Sequence, residues 1–158
     1  MKEFLLFLLL LTLGGTIMSA ENHQKTGNKK TGYIYLPKKF MTFTSMNSNS
    51  LRLQDIQKSD GKTIFTLNVM EDKNHTVETA ASAIAHQFES LGVQNIQGTP
   101  ITLDGLQGLY IYGDYNENRN KIVSYILPNG ENLSLITFEG PIEDLNANLG
   151  YIETFSKE

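Results

Sequence analysis

Between Thr63 and Leu91 the apolar residues change their period, and that change constrains the fold more than any other feature of the chain. Phe65, Leu67 and Val69 alternate with Thr66 and Asn68, the period of a strand with one buried face. Val77, Ala80, Ala81, Ile84, Phe88 and Leu91 then recur at three- and four-residue steps, the stripe of a helix lying on a core. Thr76 can cap that helix, because its hydroxyl can accept a bond from a first-turn N–H. Gly92 can end it in a left-handed conformation. A half-buried strand followed by such a helix requires a sheet with helices laid on it.

The flanking segments extend the pattern. Tyr33–Pro37 predicts a short strand stopped by proline, and Phe40–Thr44 a second extended piece. Leu51–Ile56 predicts a strand joined through Ser59-Asp60-Gly61 to Thr63–Met70 as a hairpin. Leu109–Tyr115, Lys121–Leu127 and Asn132–Phe138 form a meander whose last turn, Pro128-Asn129-Gly130, has two residues that tolerate positive φ. Gly105 and Gly108, just before it, mark a turn or bulge. A closing helix opens at Gly140-Pro141, with Glu143 and Asp144 at its positive end. Ile142, Leu145, Leu149, Ile152 and Phe155 form its stripe. The fold class is α+β, an antiparallel sheet flanked by helices. Phe65, Leu67, Ile84, Phe88, Ile111, Leu145 and Ile152 are expected to be buried together.

The N-terminus carries a different signal. Lys2 precedes a short apolar core, Phe4–Leu13, followed by Gly14-Gly15 and a small-residue step at Ser19-Ala20, the pattern of a secretory signal peptide. The run from Phe4 to Met18 is shorter than the roughly 20 residues a spanning helix needs. The organisation read from the chain is therefore a signal peptide over 1–20, a flexible basic tether over 21–31 and one domain over 32–158. Cleavage after Ala20 would make the protein secreted or periplasmic; the alternative is an N-terminal membrane anchor. The chain has no cysteine, so its core must hold without disulfides, which in an exported protein suggests a bacterial source.

Charge is uneven. Residues 21–39 hold five lysines and one acid, whereas residues from Phe40 onward hold seven basic and fifteen acidic side chains. An acidic body argues against a nucleic-acid partner. The basic segment, through Lys25, Lys29 and Lys30, is a place for weak contact with an anionic envelope.

Four short stretches of this chain and the order of its elements carry a resemblance. A strand ending in Leu-Pro leads to a hairpin into Phe-Thr-Leu-Asn-Val-Met and then a helix. Gly-Leu-Gln-Gly-Leu-Tyr-Ile-Tyr, two more strands and a closing Leu-Gly-Tyr-Ile-Glu-Thr-Phe follow. In this succession residues 32–156 resemble the PsbP-like superfamily, which includes the PsbP subunit of photosystem II and small bacterial exported proteins of the DcrB type. The resemblance implies an α/β sandwich and a role in binding or assembly. The family shares no catalytic residues, so it assigns none here.

The chain carries few chemistry-bearing constellations. His75 and His86 lie eleven residues apart, about 16 Å along a helix, too far to share a metal. No serine stands in a nucleophile elbow. The acid pairs Glu71-Asp72 and Glu143-Asp144 flank helix starts, where the dipole favours them. Asp114–Asn120 resembles a calcium loop, but Arg119 stands where glycine is needed and Tyr125 where the bidentate acid belongs. It reads as a polar hairpin turn. No cofactor is implied.

Tyrosines are the remaining signal. Tyr110 and Tyr112 share one face of a strand, with Tyr125 on the next. They form either an exposed platform or the rim of a face that a helix covers, and helices on both sides favour the second. The sequence is that of an exported, non-enzymatic module for a protein or envelope component, with Tyr110, Tyr112, Asp114 and Glu117 as candidate contact residues. The alternatives are a secreted hydrolase using carboxylates and an immunity- or inhibitor-type protein.

Overall fold

The computed structural model describes residues 22–42, 56–71 and 74–157. Among the described residues, nine strands run antiparallel wherever they pair. β1 (His23–Asn28) and β2 (Gly32–Pro37) form a separate hairpin. β3 (Met41–Thr42), β4 (Ile56–Ser59), β5 (Ile64–Met70), β6 (Gln94–Leu103), β7 (Leu106–Tyr115), β8 (Asn120–Asn129) and β9 (Asn132–Pro141) build one sheet in the order β3-β4-β5-β9-β8-β7-β6. Helix α1 spans Val77–Ser90. Helix α2 spans Ile142–Asn148 and runs into a 3₁₀ helix over Leu149–Thr154. The expected α+β sandwich is what forms.

Helix α1 forms where its stripe predicts. Thr76 accepts from the Thr79 N–H, and Thr79 returns the bond to the Thr76 N–H, so the first turn is satisfied twice over. Ala80, Ala81, Ile84 and Phe88 are buried against Ile111, Ile122 and Ile126. On the other face of the sheet, α2, the 3₁₀ helix and the β1–β2 hairpin bury Ile34, Leu36, Leu145, Ile152 and Phe155 against Phe65, Leu67, Ile136 and Phe138. Phe65 and Phe138 meet edge to face at 5.2 Å.

The seven residues expected in one core are all buried but in two cores. Phe65, Leu67, Leu145 and Ile152 lie on one side of the sheet, Ile84, Phe88 and Ile111 on the other. The reason is the pleat: Ile111 points to the opposite face from the residues paired with Leu67 and Phe65. The closing helix also departs from expectation, because it tightens after Asn148. The buried Asn148 donates to the Thr63 hydroxyl and the Asp144 carbonyl, both at 2.9 Å, which ties α2 to the sheet.

The segment read as a basic tether is not one. From His23 it is strand β1, paired residue for residue with β2, and Gln24 donates to the Phe40 carbonyl at 2.6 Å. Lys30 pairs with Glu71 instead of pointing freely outward. A second strand absent from the sequence reading, β6, forms the far edge of the sheet and turns into β7 at Asp104-Gly105, where φ is 48° and 72°. Two positive φ values define the tight hairpin turn that Asp-Gly favours. At the β8–β9 turn, Asn129 pairs with Asn132 and Gly130 (φ 66°) takes the first loop position. The Asn129-Gly130 pair is therefore not the loop itself. The signal peptide expected over 1–20 lies outside the described residues, as do residues 43–55, which hold the end of the Phe40–Thr44 piece and most of the strand expected over Leu51–Ile56.

A candidate partner-binding groove

Strand period places the tyrosines. Tyr110 and Tyr112 point to the same side of β7, and Tyr125 stands directly opposite Tyr110 on β8. The rings of Tyr110 and Tyr112 stack at 5.6 Å, and Tyr110 meets Tyr125 at 5.4 Å. They form one wall of an open groove of about 410 Å³, whose other wall is Asn146 of α2 and Leu149 at the start of the 3₁₀ helix. Ile101 of β6 closes one end and Lys121 the other. Tyr125 is buried, whereas Tyr110 and Tyr112 are half-buried. The helix layer therefore reaches Tyr125 and stops short of β7.

The groove is apolar in body with polar points at its margin. Tyr112 donates to the Gln97 Oε1 at 2.7 Å, and the Lys121 ammonium stands 5.5 Å from the Tyr112 ring centre. Burial, and then the neighbouring Tyr110, push the Tyr125 phenol up to about 12, so it stays protonated across the physiological range. On the opposite face Tyr115 donates to Glu139 at 2.8 Å. Burial and that bond raise its pKa well above the usual phenol value.

The four candidate contact residues are not one surface. Tyr110, Tyr112 and Asp114 follow one another along one face of β7, and Asp114 lies opposite Lys121, 3.9 Å from its ammonium. Glu117 is beyond them, at the tip of the β7–β8 turn, 3.3 Å from Arg119. That turn carries Asn116, Glu117 and Asn118 in left-handed conformation (φ 54°, 56° and 62°), a hairpin tip and not a calcium loop. Ile101, Lys121, Asn146 and Leu149 were not singled out from the sequence as contact residues. Leu149 was legible as part of the last apolar stripe, but Ile101 needed β6 to be recognised.

The residues weighed for catalysis stand apart. His86 is on the exposed side of α1 beside Glu89 at 3.2 Å, and His75 precedes the helix, which starts at Val77. Glu143 is exposed, and Asp144 is paired with Lys62 at 3.0 Å. Ser124 shares a short hydrogen bond with Thr137 across β8 and β9. Among the described residues no three His, Asp or Glu side chains are grouped to hold a metal ion, and no helix is long and apolar enough to cross a membrane.

No family model and no curated protein matches the sequence. Among solved structures the chain is similar to cyanobacterial PsbP (CyanoP) from Synechocystis sp., with a TM-score of 0.60 and 12% identity over 92% of this chain and 98% of that one. It is also similar to the Saccharomyces cerevisiae Ran-binding protein Mog1p, with a TM-score of 0.51 and 10% identity over 86% of each chain. At such identities the likeness is one of backbone path. The chain has the PsbP-like fold, as the order of its sequence elements implied.

Proposed function

We propose that this protein is an exported, non-enzymatic binding or assembly module that holds a segment of a partner protein in the groove beside Tyr110 and Tyr112. One observation carries the reading: the layer that covers Tyr125 ends before β7, leaving stacked tyrosines only partly buried on a rigid sheet. Aromatic rings offer large contact area at low entropic cost. The fold is shared with a protein described as Ran-binding, so a protein-binding role is within its known uses. The apolar run Phe4–Leu13 and the Ser19-Ala20 step support export to the periplasm or exterior.

The test is a pull-down with the full chain against an envelope fraction, repeated with Tyr110→Ala and Tyr112→Ala. The partner should be retained by the wild type and by His75→Ala, His86→Ala, Glu143→Gln and Asp144→Asn variants. It should be lost when the tyrosines are removed. Equal retention by the tyrosine variants would overturn the groove. An activity abolished by one histidine or carboxylate, with partner binding intact, would favour the hydrolase instead.

A further inference from the structure

A second concavity, which shares no residue with the aromatic groove, gathers lysines from both ends of the described chain. Lys25, Lys29, Tyr33 and Lys157 line an open cavity of about 580 Å³. Each is placed by backbone. Lys25 projects from β1, and its ammonium rests 4.0 Å from the Tyr33 ring centre, a cation–π contact. Lys29 is in the β1–β2 turn, where Asn28 Oδ1 accepts from the Lys30 and Thr31 N–H groups. The Asn129 amide donates to the Lys29 and Lys30 carbonyls from the neighbouring β8–β9 turn. Lys157 follows Ser156, which exchanges backbone bonds of 2.8 and 2.9 Å with Tyr33 on the free edge of β2.

Several charges elsewhere are handled differently. Lys30, Lys39 and Lys62 each end on a carboxylate, of Glu71, Asp60 and Asp144. The Lys29 and Lys157 ammonium groups meet no acid and no acceptor among the described residues, and Lys25 meets only the ring. An acidic body thus leaves three cations facing one hollow with no counter-charge among the described residues. Their mutual repulsion is relieved when an anion enters. Compact ammonium groups act as point charges on an anion, the way lysines hold phosphate.

We propose that Lys25, Lys29 and Lys157 form a binding site for a phosphate-bearing anion, either a soluble phosphate or the phosphate of an anionic lipid headgroup. The site does not depend on the protein-binding reading of the groove.

The full chain is titrated with inorganic pyrophosphate by calorimetry at low salt. It is also mixed with vesicles of phosphatidylcholine, alone or with 30% phosphatidylglycerol. Saturable one-to-one pyrophosphate binding is expected, weakened at least tenfold in Lys25→Gln/Lys29→Gln/Lys157→Gln and unchanged in Lys38→Gln, an exposed lysine outside the cavity. The single replacements Lys29→Gln and Lys157→Gln should each weaken it two- to fivefold, which keeps the test open should the triple variant misfold. Excess retention on the anionic vesicles, lost in the triple variant with the same N-terminus, identifies the headgroup as the source. Pyrophosphate binding without that excess identifies a soluble phosphate. Absence of both, or an equal loss in Lys38→Gln, overturns the site.

Discussion

The sheet is covered diagonally, and its two uncovered corners are unlike each other. Helix α1 lies over β6, β7 and β8 on one face, while α2 and the β1–β2 hairpin lie over β5, β9 and β8 on the other. Where both layers overlap, β8 is buried from Ile122 through Leu127 without a break. Where α1 does not reach, β5 shows Ile64, Thr66 and Asn68 in half-exposed positions, a mostly polar corner that water can satisfy. Where α2 does not reach, β7 shows Tyr110 and Tyr112 instead. The same shortfall of cover is neutral in one corner and leaves aromatic rings partly exposed in the other, which is why the proposed groove is placed in the second.

The largest effects should come from the covered regions. Phe88→Ala empties the space between α1 and the sheet and is expected to cost about 3–5 kcal/mol in a denaturant titration, as for other buried aromatics. A loss below about 1 kcal/mol would show that α1 does not hold that face. In the aromatic corner, Tyr112→Ala should cost only about 1–2 kcal/mol, since the ring is half-buried and its stacking is worth about 1 kcal/mol. Its effect on partner retention should exceed tenfold. A variant that lost stability as Phe88→Ala does would mark the tyrosines as core and remove the distinction.

A smaller effect should arise where the hairpin cover is tied to the sheet. Asp60 accepts from the Thr63 and Lys62 N–H groups at 2.8 and 3.1 Å, and Lys39 reaches its other oxygen at 3.0 Å. Burial alone would raise its pKa, but those bonds and the ammonium outweigh burial and hold it below the usual carboxylate value. Its contribution is therefore complete above the unfolded value of about 4 and is lost as pH falls through the lower folded value. Asp60→Ala should cost about 1 kcal/mol at neutral pH, with the difference from wild type shrinking in acid. A constant difference from pH 7 down to pH 2 would contradict the assignment. The smallest effect belongs to the polar corner: Asn68→Thr should change stability by less than about 0.5 kcal/mol and leave binding intact. Loss of the partner in that variant would mean that the binding surface is on the wrong face.

Sequence pattern made α1, β5, β7, β8 and β9 legible, because each buries enough apolar residues at a regular period to announce its geometry. It missed β1 and β6 for a physical reason. β1 buries Thr26 alone of its six residues and borrows its apolar content from Ile34 and Leu36 of its partner. β6 is an edge strand, where one side needs no ladder bonds, so Gly98 and Pro100 are tolerated. Asp104-Gly105 was the available signal for β6, since that pair flanked by apolar residues marks a hairpin.

The candidate groove divides along the same line. Strand period by itself put Tyr110 and Tyr112 on one face, with Tyr125 on the neighbouring strand. It could not say how far the opposing layer extends, because that depends on where α2 tightens at Asn148 and which strands the hairpin overlies. Nor could it bring Lys157 beside Lys25 and Lys29, since that meeting rests on one backbone bridge between Tyr33 and Ser156. Local periodicity determines which way a side chain faces within its element. Only packing between elements distant in the chain decides whether anything lies across from it.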